Sequence, residues 1–235
     1  MTQILMGQGP LIDLNDPQCV SLERCAQTLA RICRYTGNIP EDSTLMLYSV
    51  AQHSVLVSRI VEFWGFSKQE QASGLLHDVH EALMGDISTP VKRWLGESLR
   101  AKEAALQRKV LKLVWEGPLD PGTNAVKYAD MAALILEVGA LGFDRAVFFR
   151  VGPPPIPYEL PSLELVQQDW RLLLPNAERT LRGIITEDSQ RFLERFHELR
   201  AQVPRPEARR VSKPVQGDLF RGQASSRPEQ QVRSA

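Results

Sequence analysis

The chain has no excess charge of either sign: 28 Lys and Arg stand against 28 Asp and Glu in 235 residues. Such a balance offers no global electrostatic grip on nucleic acid or an anionic membrane. Cysteine is scarce, with Cys19, Cys25 and Cys33 alone, an odd number and no CxxC spacing. That argues against a disulfide framework or a zinc finger and reads as buried thiols in a reducing cytoplasm. No apolar run reaches the roughly 18 residues of a membrane span. The opening MTQILMGQGPLIDLND is too short and too interrupted by Gly and Pro for a signal peptide. A cytoplasmic protein with no membrane partner is the expectation, and no internal repeat is visible.

What the chain does hold is 43% hydrophobic residues, enough at this length to bury a real core. Their spacing is helical almost throughout. Residues 1–15 read as an irregular arm or short strand. Asp16 and Pro17 read as N-cap and first residue of a helix running to about residue 34, with Cys25 and Cys33 on one apolar face. A loop follows to about Ser43, and Leu45 to Tyr48 form a short strand or lead into the next helix, residues 49–64. Ser67-Lys68-Gln69-Glu70 is a capping box that opens a helix ending near Met84-Gly85. Residues 97–115 are amphipathic. Thr123 or Asn124 caps a helix to about Leu141 whose apolar character on several faces predicts a central position. After the stiff Gly152–Pro157 connector, residues 162–174 and 176–202 read as two helices parted by Pro175. The last 32 residues hold four Pro, seven basic and three acidic residues and no long apolar run. The organisation is an all-α helical bundle over residues 1–202 and a disordered basic tail over 203–235.

Histidine is also scarce, with four in the chain. His53 lies in YSVAQHSVLVS, His77 beside Asp78 in GLLHDVHEAL, and Asp130 in VKYADMAALIL, each within a predicted helix among apolar neighbours. Imidazole beside carboxylate in an apolar setting is costly unless a cation binds there. Three helices could aim two imidazoles and two carboxylates at one point, a set suited to a single divalent ion such as Mn, Co, Zn, Fe or Mg. Glu81, three residues past Asp78, shares its face and is placed to orient or deprotonate water. His80 lies about 100° round the helix from Glu81 and reads as an outer contact of the site or as exposed, and His197, in a charged late helix, reads as surface.

The ordered pattern His…His-Asp…Asp, with GDISTPVK over 85–92 and VKYAD over 126–130, resembles the HD-domain metal-dependent phosphohydrolases. Within them it is similar to bacterial 5′-deoxynucleotidases and phage deoxyadenosine triphosphohydrolases, over about residues 20–145. The resemblance implies His53, His77, Asp78 and Asp130 as metal ligands, Glu81 as the catalytic carboxylate, and Asp86 as a residue that contacts deoxyribose or assists catalysis. It implies that Arg34 meets phosphate and that Tyr35 senses sugar or base. Lys92 and Lys127 are candidates to counter phosphate charge, and Thr89 either binds phosphate or shapes the turn before Pro90. The expected reaction is hydrolysis of a deoxynucleotide 5′-mono- or triphosphate, dAMP and dATP among them, by a metal-activated water. A non-catalytic nucleotide sensor and a cyclic-nucleotide or alarmone hydrolase stay open as alternatives. The long Thr36–Gln52 segment, and Tyr35 where some relatives carry tryptophan, depart from the family pattern.

Two partner expectations complete the reading. Gln216-Gly217-Asp218-Leu219-Phe220 in the tail is similar to the QxxLF peptides that dock on bacterial sliding clamps. The apolar residues from Phe143 to Phe149 could serve a homodimer interface.

Overall fold

A computed structural model of the chain describes residues 3–6, 10–150 and 152–204. The clamp-like peptide at 216–220 lies outside the described residues. The architecture is all-α, as the periodicity predicts, with one small hairpin: β1 (Gln3–Leu5) pairs antiparallel with β2 (Leu11–Asp13). Ten α-helices follow among the described residues: α1 (Leu22–Leu29), α2 (Val50–Phe63), α3 (Lys68–Leu75), α4 (Glu81–Met84), α5 (Thr89–Leu95), α6 (Glu97–Val114), α7 (Asn124–Ala140), α8 (Arg145–Phe148), α9 (Leu163–Gln168) and α10 (Leu181–Gln202). None is long and apolar enough to cross a membrane.

Local chemistry sets many of these helix starts. The side chains of Ser21, Ser49, Ser67, Thr123, Ser162 and Thr180 each accept a backbone N–H of the first turn. At Ser67 the reciprocal bond from Glu70 completes the capping box read from the sequence. Helix α2 is buried on nearly every face and packs against α1, α3, α7 and α10. Arg195, 2% exposed, joins α10 to this centre through Ser58, Gln71 and Glu62, with Glu198 of its own helix as a further partner. A buried guanidinium is tolerated there because its donors are met.

Four expectations are corrected. The first helix starts at Leu22, capped by Ser21, because Asp16 is tied back to Asp13 in a bridge. It ends at Leu29, and Cys33 pairs instead with Ser49, so Cys33 is only half-buried while Cys19 is exposed. Cys25 alone is a buried thiol, pushed up to about 12 by burial and by Glu23. Helix α3 stops at Leu75, and residues 76–80 are turn, so His77 and Asp78 are not helical. The reason is local: the His77 ring Nδ1 donates to the Gly74 carbonyl at 2.8 Å, occupying an acceptor that the helix would otherwise use. Finally, α9 ends at Gln168 and α10 begins only at Leu181. Between them Leu172 and Leu173 are buried, and Asn176 bonds the backbone of Met46 and Leu47. The 45–48 stretch is therefore the lead into α2 and not a strand, an irregular segment stitched down by that amide.

Gly74 also fixes how closely α3 approaches α2. A Cβ on it would lie 3.3 Å from Val61 Cγ2 and 3.4 Å from the Ser58 Cα. Gly74→Val should therefore destabilise the protein by about 1–3 kcal/mol through overpacking. Urea denaturation of the metal-free protein reads this, and an unchanged midpoint would contradict the tight α2–α3 contact.

Candidate metal centre

His53, in the first turns of α2, is wholly buried and meets the α3–α4 turn on one side and α7 on the other. Its Nε2 lies 3.3 Å from His77 Nε2, 3.7 Å from Asp78 Oδ2 and 3.1 Å from Asp130 Oδ1. His77 Nε2 is in turn 3.0 Å from Asp78 Oδ2 and 4.0 Å from Asp130 Oδ1. Two donor atoms each about 2.1 Å from a common ion stand roughly 3–4 Å apart, depending on the angle between them. The four side chains expected as ligands thus converge, and His53, His77 and Asp130 form a group able to hold one metal ion.

The chemistry of the donor set fits a cation. His77 Nδ1 is committed to the Gly74 carbonyl and His53 Nδ1 to Glu137 Oε1 at 2.6 Å. Both rings therefore turn Nε2 toward the two aspartates, the arrangement that fixes metal-binding tautomers. Burial and Arg34 would lower the His53 pKa, but Glu137 and Asp130 carry it up to about 9. In the cation-free protein at neutral pH, the proton on His53 puts a positive charge among the expected ligands, beside the Arg34 guanidinium 3.9 Å from Asp78.

Glu137 was not singled out in the sequence. It is wholly buried and accepts from the Tyr48 hydroxyl at 2.8 Å and the Tyr35 hydroxyl at 2.5 Å, with Arg34 Nε 3.4 Å away. Burial would raise its pKa, yet Arg34 and His53 hold it down to about 2. The one signal was a lone glutamate seven residues after Asp130, two turns along the same face of an apolar helix.

A cavity of about 440 Å³ opens beside the ligands, lined among others by Arg34, Tyr35, Asp78, Glu81, Asp86, Thr89, Lys92, Asp130 and Phe148. Asp130's side chain is 47% exposed. Glu81 begins α4, is 2% exposed, and leaves Oε2 without a hydrogen-bond partner. Burial, then Asp78 and Asp86, raise its pKa to about 10 against the pull of Lys92 and Arg34. Asp86 is half-buried between α4 and α5, and burial also raises its pKa. Lys92 Nζ sits 3.8 Å from Glu81 and 2.7 Å from Glu103, a residue on α6 that the sequence did not single out. Glu103 also faces the buried His80 at 3.8 Å. His80, Glu81 and Glu103 form a second close group, but the Lys92 ammonium already supplies its positive charge.

The remaining predicted residues divide. Thr89 stands exposed at the cavity rim, at the start of α5. Lys127 is exposed on α7 and does not line the cavity, and His197 is exposed on α10. Tyr35 lines the cavity, but its hydroxyl is taken by Glu137 and its backbone is left-handed, with φ 58°.

No family model matches the sequence. The chain is 33% identical over 179 residues to the uncharacterized protein YfdR of Escherichia coli, across 74% of this chain and 81% of YfdR. It is 32% identical over 162 residues to the uncharacterized protein RCAP_rcc00048 of Rhodobacter capsulatus, across 65% of this chain and 80% of that relative.

Two outcomes follow from the geometry. A cation needs the Nε2 lone pair of His53, so it must displace the proton held with a pKa of about 9. Affinity for Mn²⁺ should then rise about tenfold per pH unit between pH 6.5 and 8.5, with proton release seen by calorimetry in buffers of different ionisation enthalpy. A flat profile would contradict the competition. Glu137→Gln, which removes the charge behind His53, should weaken Mn²⁺ binding about 10–100-fold at pH 8.

Proposed function

The chain belongs to the protein family of YfdR and RCAP_rcc00048, and we propose from its own site that it is an HD-type, divalent-metal-dependent phosphohydrolase that releases phosphate from 5′-deoxynucleotides. The observation that carries this reading is the convergence of His53, His77, Asp78 and Asp130 at a cavity that also presents Arg34, Lys92 and Glu81. A divalent cation bound there would lower the pKa of water and polarise a phosphoryl oxygen.

The chain's own residues supply the rest. Glu81 stands in the cavity with one carboxyl oxygen free. Its high proton affinity comes from burial and from the charges of Asp78 and Asp86. With Asp78 engaged by a cation, one of those charges is offset, and the carboxylate can take a proton from attacking water at neutral pH. Arg34, held between Asp78 and Glu137, and Lys92, held by Glu103, offer charge-assisted hydrogen bonds to phosphate oxygens. Asp86 is an acceptor for a sugar hydroxyl at the same cavity.

With a divalent ion, the lining cations Arg34 and Lys92 make four positive charges against the four carboxyl groups of Asp78, Glu81, Asp86 and Asp130. The cavity holds no excess of positive charge for a long phosphate chain, so a monophosphate is the substrate this reading favours. A triphosphate would need its further charge met by ions that arrive with it.

Glu81→Ala should retain bound Mn²⁺ and lower the rate of phosphate release from dAMP by about 10²–10⁴-fold. Asp130→Ala should lose metal and activity together, read by elemental analysis and a phosphate assay across deoxynucleotides. Nucleotide binding without any phosphate, pyrophosphate or triphosphate release by the wild-type protein with Mn, Co, Zn or Mg would contradict the hydrolase reading and favour a sensor.

A further inference from the structure

The cavity has a second chemistry that the hydrolytic reading leaves unused. Leu134 lines it one turn beyond Asp130 on α7, about 6 Å further along that helix. Phe148 lines it beside Tyr35, their rings meeting edge to face with centroids 6.0 Å apart. Tyr35 is fixed: its hydroxyl is bonded to the buried Glu137, and its ring also meets Phe143 at 5.2 Å. Phe148 is held differently. It closes the four-residue α8, whose other residues, Arg145, Ala146 and Val147, are exposed. Left-handed glycines flank the segment at Gly142 and Gly152, with φ of 82° and 86°.

A one-turn helix with three exposed residues has little to bury, yet it turns the Phe148 ring onto the cavity. Phe143 at 5.2 Å and Phe149 at 5.0 Å brace that ring. Aromatic rings braced in this way offer a flat apolar face at small loss of side-chain freedom. The wall of Leu134, Tyr35 and Phe148 begins one helical turn from the ligand set.

We propose that Phe148 is a specificity-determining residue: it stacks on the base of the nucleotide whose phosphate meets the metal centre. This rests on the phosphohydrolase reading and adds to it how the base is recognised. A wall of rings and methyl groups reads a base by stacking area, so purines are preferred to pyrimidines.

The experiment compares dAMP with 2-deoxyribose 5-phosphate, which carries the same phosphate and sugar but no base. Full-length, Mn²⁺-loaded wild-type protein, Phe148→Ala and Phe148→Tyr are assayed with both. The wild type should favour dAMP. Phe148→Ala should lower the ratio of kcat/KM for dAMP over 2-deoxyribose 5-phosphate by up to about tenfold, the range that one aromatic contact supplies, with the loss in KM rather than kcat. Phe148→Tyr should restore the ratio. A ratio unchanged in Phe148→Ala overturns the proposal, because a merely structural role would affect both substrates alike. If the wild type hydrolyses neither compound, the same ratio is read from their dissociation constants by calorimetry. A fall in Phe148→Ala then sustains the base site while the hydrolase reading fails, and no fall overturns the base site as well.

Discussion

The arrangement depends on one buried contact, that of Glu137 with His53. A carboxylate with no solvent exposure is costly by several kcal/mol unless its oxygens are met. Here they are met by the His53 ring and the hydroxyls of Tyr48 and Tyr35, with the Arg34 guanidinium alongside. Each donor matters to the site for a different reason. His53 is turned so that Nε2 faces the aspartates, Arg34 is held over the cavity, and Tyr35 is locked in a left-handed backbone. Non-glycine residues in that region cost about 1–3 kcal/mol and persist where surrounding contacts over-determine them. Replacing Glu137 would free three elements at once.

A second support comes from Gly74. The missing side chain lets α3 lie against α2, and the glycine's carbonyl takes the proton of His77 Nδ1. One residue thereby sets the distance between the helices, ends α3 and orients the second imidazole. The adjacent His-Asp pair gains its direction from this turn, which places Asp78 toward His53 and Arg34, and Glu81 at the start of α4 with its carboxyl in the cavity. The two histidines thus rest on two unlike supports, a buried carboxylate and a backbone carbonyl.

What was legible in the sequence was local. Ser67 and Thr123 announce their helices because a cap depends on residues three apart. His53, His77, Asp78 and Asp130 stand out because polar ligating residues are rare within apolar runs. What was not legible depended on contacts distant in sequence. Glu137 reads as one acidic residue in an apolar helix until Tyr35, Tyr48 and His53 are brought to it. The end of α3 looks like continuing helix because the bond that stops it comes from a side chain. Pro175 marks a break, but the broken length from Asp169 to Thr180 reflects Asn176 gripping Met46 and Leu47 and the burial of Leu172 and Leu173. Lys127 follows its motif in sequence, yet the phase of α7 turns it outward.

On the reading proposed above, His53, His77, Asp78 and Asp130 share one divalent ion. X-ray absorption spectroscopy of the Co²⁺- or Zn²⁺-loaded protein tests it most directly, because it counts ligands at the ion itself. One ion per chain is expected, with two imidazole nitrogens at about 2.0–2.1 Å and carboxylate oxygens in the remaining protein positions. A spectrum without two imidazoles, or with sulfur in the coordination sphere, would contradict it.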